Sequence, residues 1–346
     1  MRKKDARKKG TRSNYKKPRN YDKDENSKYF TKDDIFISRM ASILMLPKPR
    51  VSSLFYQRAR TTIRLNSLKG NVKETLRLLK SRGYELSKVT WAPNVYFVNN
   101  RDKSEISQIE EYRQGLFYIQ DLSSILATLV LNPTRSENIL DMCAAPGSKT
   151  THMAEITKNR ANILANEIEV GRTNSLRNVI EQFGANSVKI TLSDGRDFGK
   201  KYPDYFDKVL LDAPCSGEGR IYLRGPKPLR FWSIKKVKSS TIIQRELIES
   251  AFKTLKSKGT LIYSTCTLEP EENEGVVSYL LNKNPLAYLE DIELISFPQF
   301  STFKKYITNG ITQWSGNKYH PSVKKSIRVI PSSDMMGFYI AKISKK

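Results

Sequence analysis

The chain holds three cysteines, Cys143, Cys215 and Cys266, and each lies just past a short apolar run that reads as a strand. Cys215 sits in Asp212-Ala213-Pro214-Cys215-Ser216-Gly217, and Cys266 in Ser264-Thr265-Cys266-Thr267. A thiolate is a strong nucleophile, and a nearby acid can manage the protons of its reaction. An odd cysteine count in 346 residues, with no visible signal peptide, argues for free thiols in a reducing compartment, and so for the cytoplasm. Only two histidines occur, His152 and His320, and no Cys/His spacing suits zinc, so no metal is expected. For Cys143 the competing reading is an inert, buried small residue. That reading fits Cys215 and Cys266 poorly, because both flank an expected cleft beside an acid.

A second group of residues points to an adenosine ligand. Asp141-Met142-Cys143-Ala144-Ala145-Pro146-Gly147-Ser148-Lys149-Thr150 follows the first apolar run. Its small residues let the backbone approach a ligand, and the helix that follows offers free N–H groups. The spacing is not GxGxxG. It is not a phosphate loop either, since Ser148 stands where the second glycine is required. Glu167 ends the second run, where an acid can accept from two ribose hydroxyls. Asp194 ends the third, placed to meet an adenine amino group. Alone, each acid reads as a surface carboxylate; in this order, behind a small-residue loop, they favour adenosine. Thiols, a carboxylate and adenosine together suit methylation of cytosine at C5. A thiolate adding to C6 makes C5 enamine-like, C5 takes the methyl and loses its proton, and the thiolate leaves. A protonated Asp212 near cytosine N3 would stabilise the charge developing there, and the second thiol would assist elimination. The base must be flipped or already single-stranded to be reached.

These residues work together only if a scaffold collects them. From Glu137 onward, apolar runs at Asn138–Asp141, Ala161–Asn166, Ser187–Leu192, Asp207–Leu211 and Thr260–Ser264 alternate with helical stretches, Val170–Phe183 and Thr241–Leu255 among them. That rhythm predicts a mostly parallel sheet covered on both faces, an α/β doubly wound fold with ligands beyond the carboxyl ends of the strands. Ser326–Ile330 and Gly337–Ile343 read as two antiparallel edge strands, making seven. With strands four and five as neighbours, the thiols of Cys215 and Cys266 are expected at roughly 5–10 Å. Upstream, Lys32–Leu46 reads as a helix capped by Thr31 and stopped by Pro47, and Val72–Arg82 as a helix ended by Gly83. Ala59–Leu68 and Thr90–Val98 read as extended, and Gln120–Leu131 as a helix. The expected organisation is a disordered basic arm over residues 1–29, a small α+β RNA-binding domain over 30–131 and a catalytic domain over 132–346.

Charge indicates the partner. The formal net charge is +25 and the pI about 9.8, which suits a polyanion, nucleic acid first. The loop Arg220–Lys238 interleaves cations with Tyr222, Phe231 and Trp232, as single-stranded RNA binding requires. Trp232 either stacks on a base or packs on the core. No apolar run is long enough to span a membrane.

The loop Asp141–Thr150, the segments Leu211–Gly217 and Ser264–Thr267, and Glu272-Asn273-Glu274 closely resemble the Nop/Sun family of RNA cytosine-5 methyltransferases. Arg64-Leu65-Asn66 and Gly115 with Gln120–Ser124 are similar to its upstream elements, so the resemblance runs from about Arg64 to the C-terminus. It implies a seven-stranded, Rossmann-like class I methyltransferase that uses S-adenosylmethionine, with Cys266 as nucleophile and Cys215 aiding product release. It also implies that Cys143, Ala144, Ala145, Pro146, Gly147, Ser148, Lys149, Glu167, Arg172 and Asp194 bind the cofactor, with Asp212 at the junction of cofactor and cytosine. The Thr-Cys motif implies RNA rather than DNA as substrate. The basic stretch Arg220–Phe231 departs from the family in lacking an acid, and no further RNA-binding domain follows the core. The expected RNA is ribosomal, with transfer RNA second, and the protein is expected to act as a monomer. A non-catalytic RNA-binding assembly factor is the remaining alternative, though a scaffold has no need of paired thiols.

Overall fold

A computed structural model describes residues 31–294 and 299–346. The basic arm expected over residues 1–29 lies outside them. Helix α1 (Lys32–Leu44) starts as expected. The Thr31 hydroxyl accepts from the Asp34 N–H, the Asp34 carboxylate answers the Thr31 N–H, and Met45 ends the helix in the left-handed region. Helix α2 (Lys48–Phe55) was not expected; Pro47, read as a stop, also opens this second helix. Phe36, Met40, Val51, Leu54 and Phe55 of this helical hairpin pack on Leu229, Trp232 and Leu268. The hairpin therefore braces the two loops that carry Cys215 and Cys266.

Next come β1 (Thr62–Leu65), α3 (Val72–Ser81), β2 (Leu86–Lys88), β3 (Val95–Val98), the short helices α4 (Lys103–Ile106) and α5 (Glu110–Arg113), and β4 (Phe117–Ile119). The strands form an antiparallel sheet in the order β2-β3-β1-β4. The strand expected over Thr90–Val98 keeps only its second half. Pro93-Asn94 turns the chain, with Asn94 at φ 58°, and the rest becomes the bend between β2 and β3. Helix α6 (Leu122–Leu131), capped by Asp121, leaves this sheet and packs on the larger one.

The larger sheet is built from β5 (Asn138–Asp141), α7 (Ser148–Ile156), β6 (Asn162–Glu167), α8 (Val170–Gln182), β7 (Val188–Leu192), α9 (Phe198–Lys201), β8 (Phe206–Asp212), α10 (Ile234–Thr254), β9 (Leu255–Thr265), α11 (Glu274–Lys283) and β10 (Ala287–Leu289). It is completed by β11 (Ile307–Asn309), β14 (Ile327–Val329) and β15 (Phe338–Lys345), while β12 (Gln313–Trp314) and β13 (Asn317–Lys318) form a separate hairpin. The order is β11-β14-β15-β9-β8-β5-β6-β7, with β10 on β15. Strands β5 to β9 are parallel, and β15 runs antiparallel to β9. The seven expected strands are all present, and the short β10 and β11 extend the sheet to nine.

Side chains alternate between two cores along each central strand. Ile139, Leu210, Ile262 and Ile340 face α6, whereas Leu140, Leu211, Leu261 and Tyr339 face Leu247, Ile248, Ala251 and Phe252 of α10. Period two with both faces buried is why these strands read as continuous apolar runs. Helix α10 begins at Ile234, capped by Ser233, well before the expected Thr241, and absorbs the end of the expected basic loop. Strand β9 likewise starts at Leu255 and runs through Gly259. Strand order reverses between β5 and β8, and the carboxyl ends on either side of that point define a crevice.

Candidate active site

Five strand ends bring the expected residues to this crevice. Strand β5 ends at Asp141, which accepts a 2.7 Å hydrogen bond from Thr150 Oγ1. Burial pushes its carboxyl up to about 7. The loop that follows turns at Gly147, with φ 109°; a Cβ there would stand 2.9 Å from Val179 and 3.0 Å from Leu176. Only glycine lets this loop lie against α8. Arg172 Nη2 donates to the Ala145 carbonyl at 2.8 Å, so this arginine shapes the small-residue loop directly.

Glu167, at the end of β6, is 2% exposed. Its Oε1 accepts from the N–H groups of Ile168 and Glu169, at 2.9 and 3.2 Å. Its Oε2 has no hydrogen bond; Arg172 Nη2 stands 3.4 Å away as an ion-pair partner. A buried acceptor without a donor, at a parallel strand end, fits the hydroxyls of a ribose. The N-terminus of α7, which begins at Gly147 without a side-chain cap, suits an anionic group such as a carboxylate. Asp194, expected to meet an adenine amino group, follows the end of β7. Arg196 bonds both its carboxylate oxygens, at 2.6–3.0 Å, and holds the carboxyl below its usual range. Cys143 is driven up by burial, next to Asp141 and Glu167, which suits an inert thiol.

Strands β8 and β9 carry the reactive pair. Cys215 Sγ and Cys266 Sγ are 3.2 Å apart, closer than the expected 5–10 Å, because both side chains turn inward past adjacent strand ends. The contact with Cys215 pulls the Cys266 thiol down against burial and the Asp212 charge, with help from Arg220 and Lys149. The same contact and burial push Cys215 up. The pair is therefore biased so that Cys266 loses its proton before Cys215.

Asp212, expected as a protonated acid near cytosine N3, lies beside them with two partners. Lys149 Nζ contacts its Oδ2 at 2.6 Å, and Ser264 Oγ donates to its Oδ1 at 2.7 Å. Lys149, expected at the cofactor, thus reaches across to the thiols. Sequence reasoning also missed Arg220, Gln244, Glu218 and Glu272, which surround the cysteine loops. The only sequence signal for Glu272 was its place in Glu272-Asn273-Glu274. Trp232 resolves to the core: it is buried edge-on to Phe36, with ring centroids 5.1 Å apart. Phe231 is 80% exposed beneath Arg230, so the aromatic available to RNA is its neighbour in sequence. Among the described residues, no cluster suits a metal ion.

Residues 128–344 match the 16S rRNA methyltransferase RsmB/F family, and residues 33–122 match the N-terminal domain of 16S rRNA methyltransferase RsmF. The chain is 42% identical over 291 residues to a tRNA (cytosine(49)-C(5))-methyltransferase of Pyrococcus abyssi, covering 84% of this chain and 89% of that protein. It is 42% identical over 230 residues to ribosomal RNA small subunit methyltransferase F of Escherichia coli O157:H7, covering 65% of this chain and 48% of that one. The chain thus spans about half the length of that bacterial relative. In structure it is similar to a methyltransferase homolog from Pyrococcus horikoshii, with TM-score 0.76, 29% identity, and 90% and 95% of the two chains covered. NSun6 from the same organism, solved with SFG, shares the fold at TM-score 0.70, 23% identity, and 89% and 97% coverage. The match over most of the chain, on the motifs that gather at these strand ends, means that this chain belongs to the RsmB/F methyltransferase family, the Nop/Sun group its motifs resemble.

Proposed function

We propose that the protein transfers a methyl group from S-adenosylmethionine to C5 of a cytosine in RNA, through a covalent bond between Cys266 and C6. The observation that carries this reading is the pair of thiols at 3.2 Å, one depressed and one raised, beside the Lys149–Asp212 ion pair. The bound cofactor supplies an electrophilic methyl group. Its site is the loop Cys143–Lys149, with Glu167 for the ribose, Arg172 bracing the loop, Asp194 at the rim once released from Arg196, and Asp212 toward the cytosine. The Cys266 thiolate adds to C6, the C5–C6 π pair moves to C4–C5, and the C4–N3 π pair moves onto N3. The Lys149 ammonium, held by Asp212, donates a hydrogen bond to N3 as that charge grows. After C5 is methylated, solvent water takes the C5 proton, the C5–H pair restores the C5–C6 π bond, and the C6–S pair leaves on sulfur. The Cys215 S–H stabilises the departing Cys266 thiolate through the contact it already makes.

RNA reaches this crevice through a groove of about 1040 Å³ between the two sheets, lined by Arg58, Arg60, Arg101, Lys103, Arg220 and Tyr222. Arg58 lies 4.4 Å over the Tyr222 ring, offering a flat cation to a base or phosphate. The Gly219 N–H donates to the Cys266 carbonyl at 2.9 Å, so the groove wall is tied to the loop that carries the nucleophile. Residues 30–131 and the basic residues 1–29 extend this track onto the catalytic region 132–346. The same reading has the protein act as a cytoplasmic monomer without a membrane partner; its three cysteines are free, and no described helix is long and apolar enough to cross a membrane.

Ribosomal RNA is the first substrate, supported by matches of both parts of the chain to RsmF-type families. Transfer RNA is the second reading, favoured by similarity to the tRNA enzyme over more of this chain, 84% against 65%. Bisulfite sequencing of total RNA with and without the gene decides between them. One cytosine should lose its methyl group, and no change anywhere would overturn the activity. In vitro, Cys266→Ala should abolish methylation with RNA binding intact, and Cys215→Ala should leave a covalent RNA adduct on a denaturing gel. Retained activity in Cys266→Ala would remove the nucleophile assignment.

A further inference from the structure

Behind Cys215 lies a buried hydrogen-bonded network that the reaction sketched above does not use. Glu272 Oε2 accepts from the Ser216 N–H at 3.1 Å and from Gln244 Nε2 at 2.7 Å. Gln244 Nε2 also donates to the Pro214 carbonyl at 2.8 Å. The residues on both sides of Cys215 are thus fastened to one carboxyl, one directly and one through Gln244. The backbone of Glu272 is itself fixed, since Tyr263 OH donates to its carbonyl at 2.6 Å. Glu272, Gln244 and Tyr263 all have zero exposure.

Counting protons constrains the charge of this carboxyl. Ser216 Oγ meets Glu272 Oε1, Glu218 Oε2 and Thr267 Oγ1, and Thr267 Oγ1 also meets Glu218 Oε2. These four oxygen–oxygen contacts have only the Ser216 and Thr267 hydroxyl protons between them. With both carboxyls ionised, two contacts would set lone pair against lone pair in a dry site. Both hydroxyls can donate to Glu218 Oε2, which leaves the close Glu272–Ser216 contact as the one that needs a proton, and Glu272 Oε1 supplies it to Ser216 Oγ. We infer that Glu272, through Ser216 and Gln244, is the positioning residue that holds Cys215 against Cys266, and that it does so as a neutral acid. Its placement agrees: burial and the neighbouring Glu218 push this carboxyl up to about 8. Above that pH a carboxylate stands behind Cys215, which then holds its proton more firmly. The titratable and charged groups around it are Glu218, Cys215, Cys266, Tyr263, Glu269 with its partner Arg39, and Asp212 with Lys149.

The inference rests on Cys266 as nucleophile and Cys215 as its release partner, but its first test needs no RNA. Iodoacetamide labelling of Cys266 in the full chain, followed by mass spectrometry across pH, reads the thiol directly. Glu272→Ala should move the labelling midpoint up by about one pH unit or more, the scale of one lost charge-assisted hydrogen bond. Gln244→Leu should do the same and carries the test if Glu272→Ala does not fold. Glu272→Gln, whose amide replaces the acid proton with an N–H donor, should restore the wild-type midpoint. With RNA and S-adenosylmethionine, Glu272→Ala should accumulate the covalent adduct and Glu272→Gln should not. Unchanged midpoints in both Glu272→Ala and Gln244→Leu would overturn the positioning role. A Glu272→Gln that behaves like Glu272→Ala would overturn the neutral acid. Shifted midpoints in a protein whose wild type methylates no RNA would sink the catalytic reading while leaving the positioning role standing.

Discussion

Lys149 is the residue whose role changes most once distances are known. Its place in the small-residue loop suggests a cofactor contact, yet its ammonium sits 2.6 Å from Asp212 and helps hold the Cys266 thiol down. Replacing it by methionine leaves a carboxylate beside the nucleophile without its cation, and that charge opposes thiolate formation. Lys149→Met should therefore lower the single-turnover rate at neutral pH roughly tenfold or more, the consequence of about one unit of thiol pKa. Cofactor affinity should change far less. Rapid-quench turnover at saturating cofactor, set against equilibrium cofactor binding, separates the two effects. A large loss of affinity with an unchanged saturated rate would return Lys149 to the cofactor. At this scale the cysteines and acids were legible because strand ends and motif order mark them. Glu272, Glu218 and Gln244 were not legible, because a polar residue that becomes wholly buried looks in sequence like one on a solvated face. Trp232 was ambiguous for the same reason: its burial depends on Phe36, nearly two hundred residues away.

Elements were readable where one periodicity dominated, and unreadable where a partner decides the conformation. Asn138–Asp141 and Val170–Gln182 fall where the apolar pattern places them. Short β10 and β11 form only because β15 and β14 offer them an edge, and nothing local announces them. The joint between the two sheets is of the same long-range kind. Arg64 of β1 is 1% exposed; its guanidinium contacts Glu155 of α7, Thr151 at 3.1 Å and Gln120 at 3.0 Å. Glu155 Oε1 also accepts from Ser67. Removing one partner of a buried pair strands the other charge, which costs about 3–5 kcal/mol. Arg64→Met should thus lower stability by about that amount in urea unfolding, and Arg64→Met combined with Glu155→Gln should recover part of the loss. A loss below about 1 kcal/mol in the single variant would mean that solvent reaches Glu155 and that the joint is held by other contacts.

At the scale of the whole molecule, the net charge of +25 has to be divided between the groove and the residues preceding it. Residues 1–30 contain twelve Lys and Arg against four Asp and Glu, so about a third of the excess lies there. The groove contributes Arg58, Arg60, Arg101, Lys103 and Arg220, but Arg60 is already paired with Asp334 at 2.8 Å. Each cation that neutralises a phosphate of single-stranded RNA steepens the fall of log affinity against log salt by about 0.7. Full-length protein should therefore show a steeper slope than a 31–346 truncation, by about 2 if three of the twelve cations meet phosphates. Within the truncation, replacing Arg101 and Lys103 by glutamine should flatten the slope by about a further 1.4. Neither change touches the thiols, so single-turnover methylation at saturating RNA and low salt should survive both. Equal slopes with and without residues 1–30 would confine RNA contact to the groove. A slope insensitive to Arg101 and Lys103 would instead place the RNA path elsewhere on the surface around Cys266.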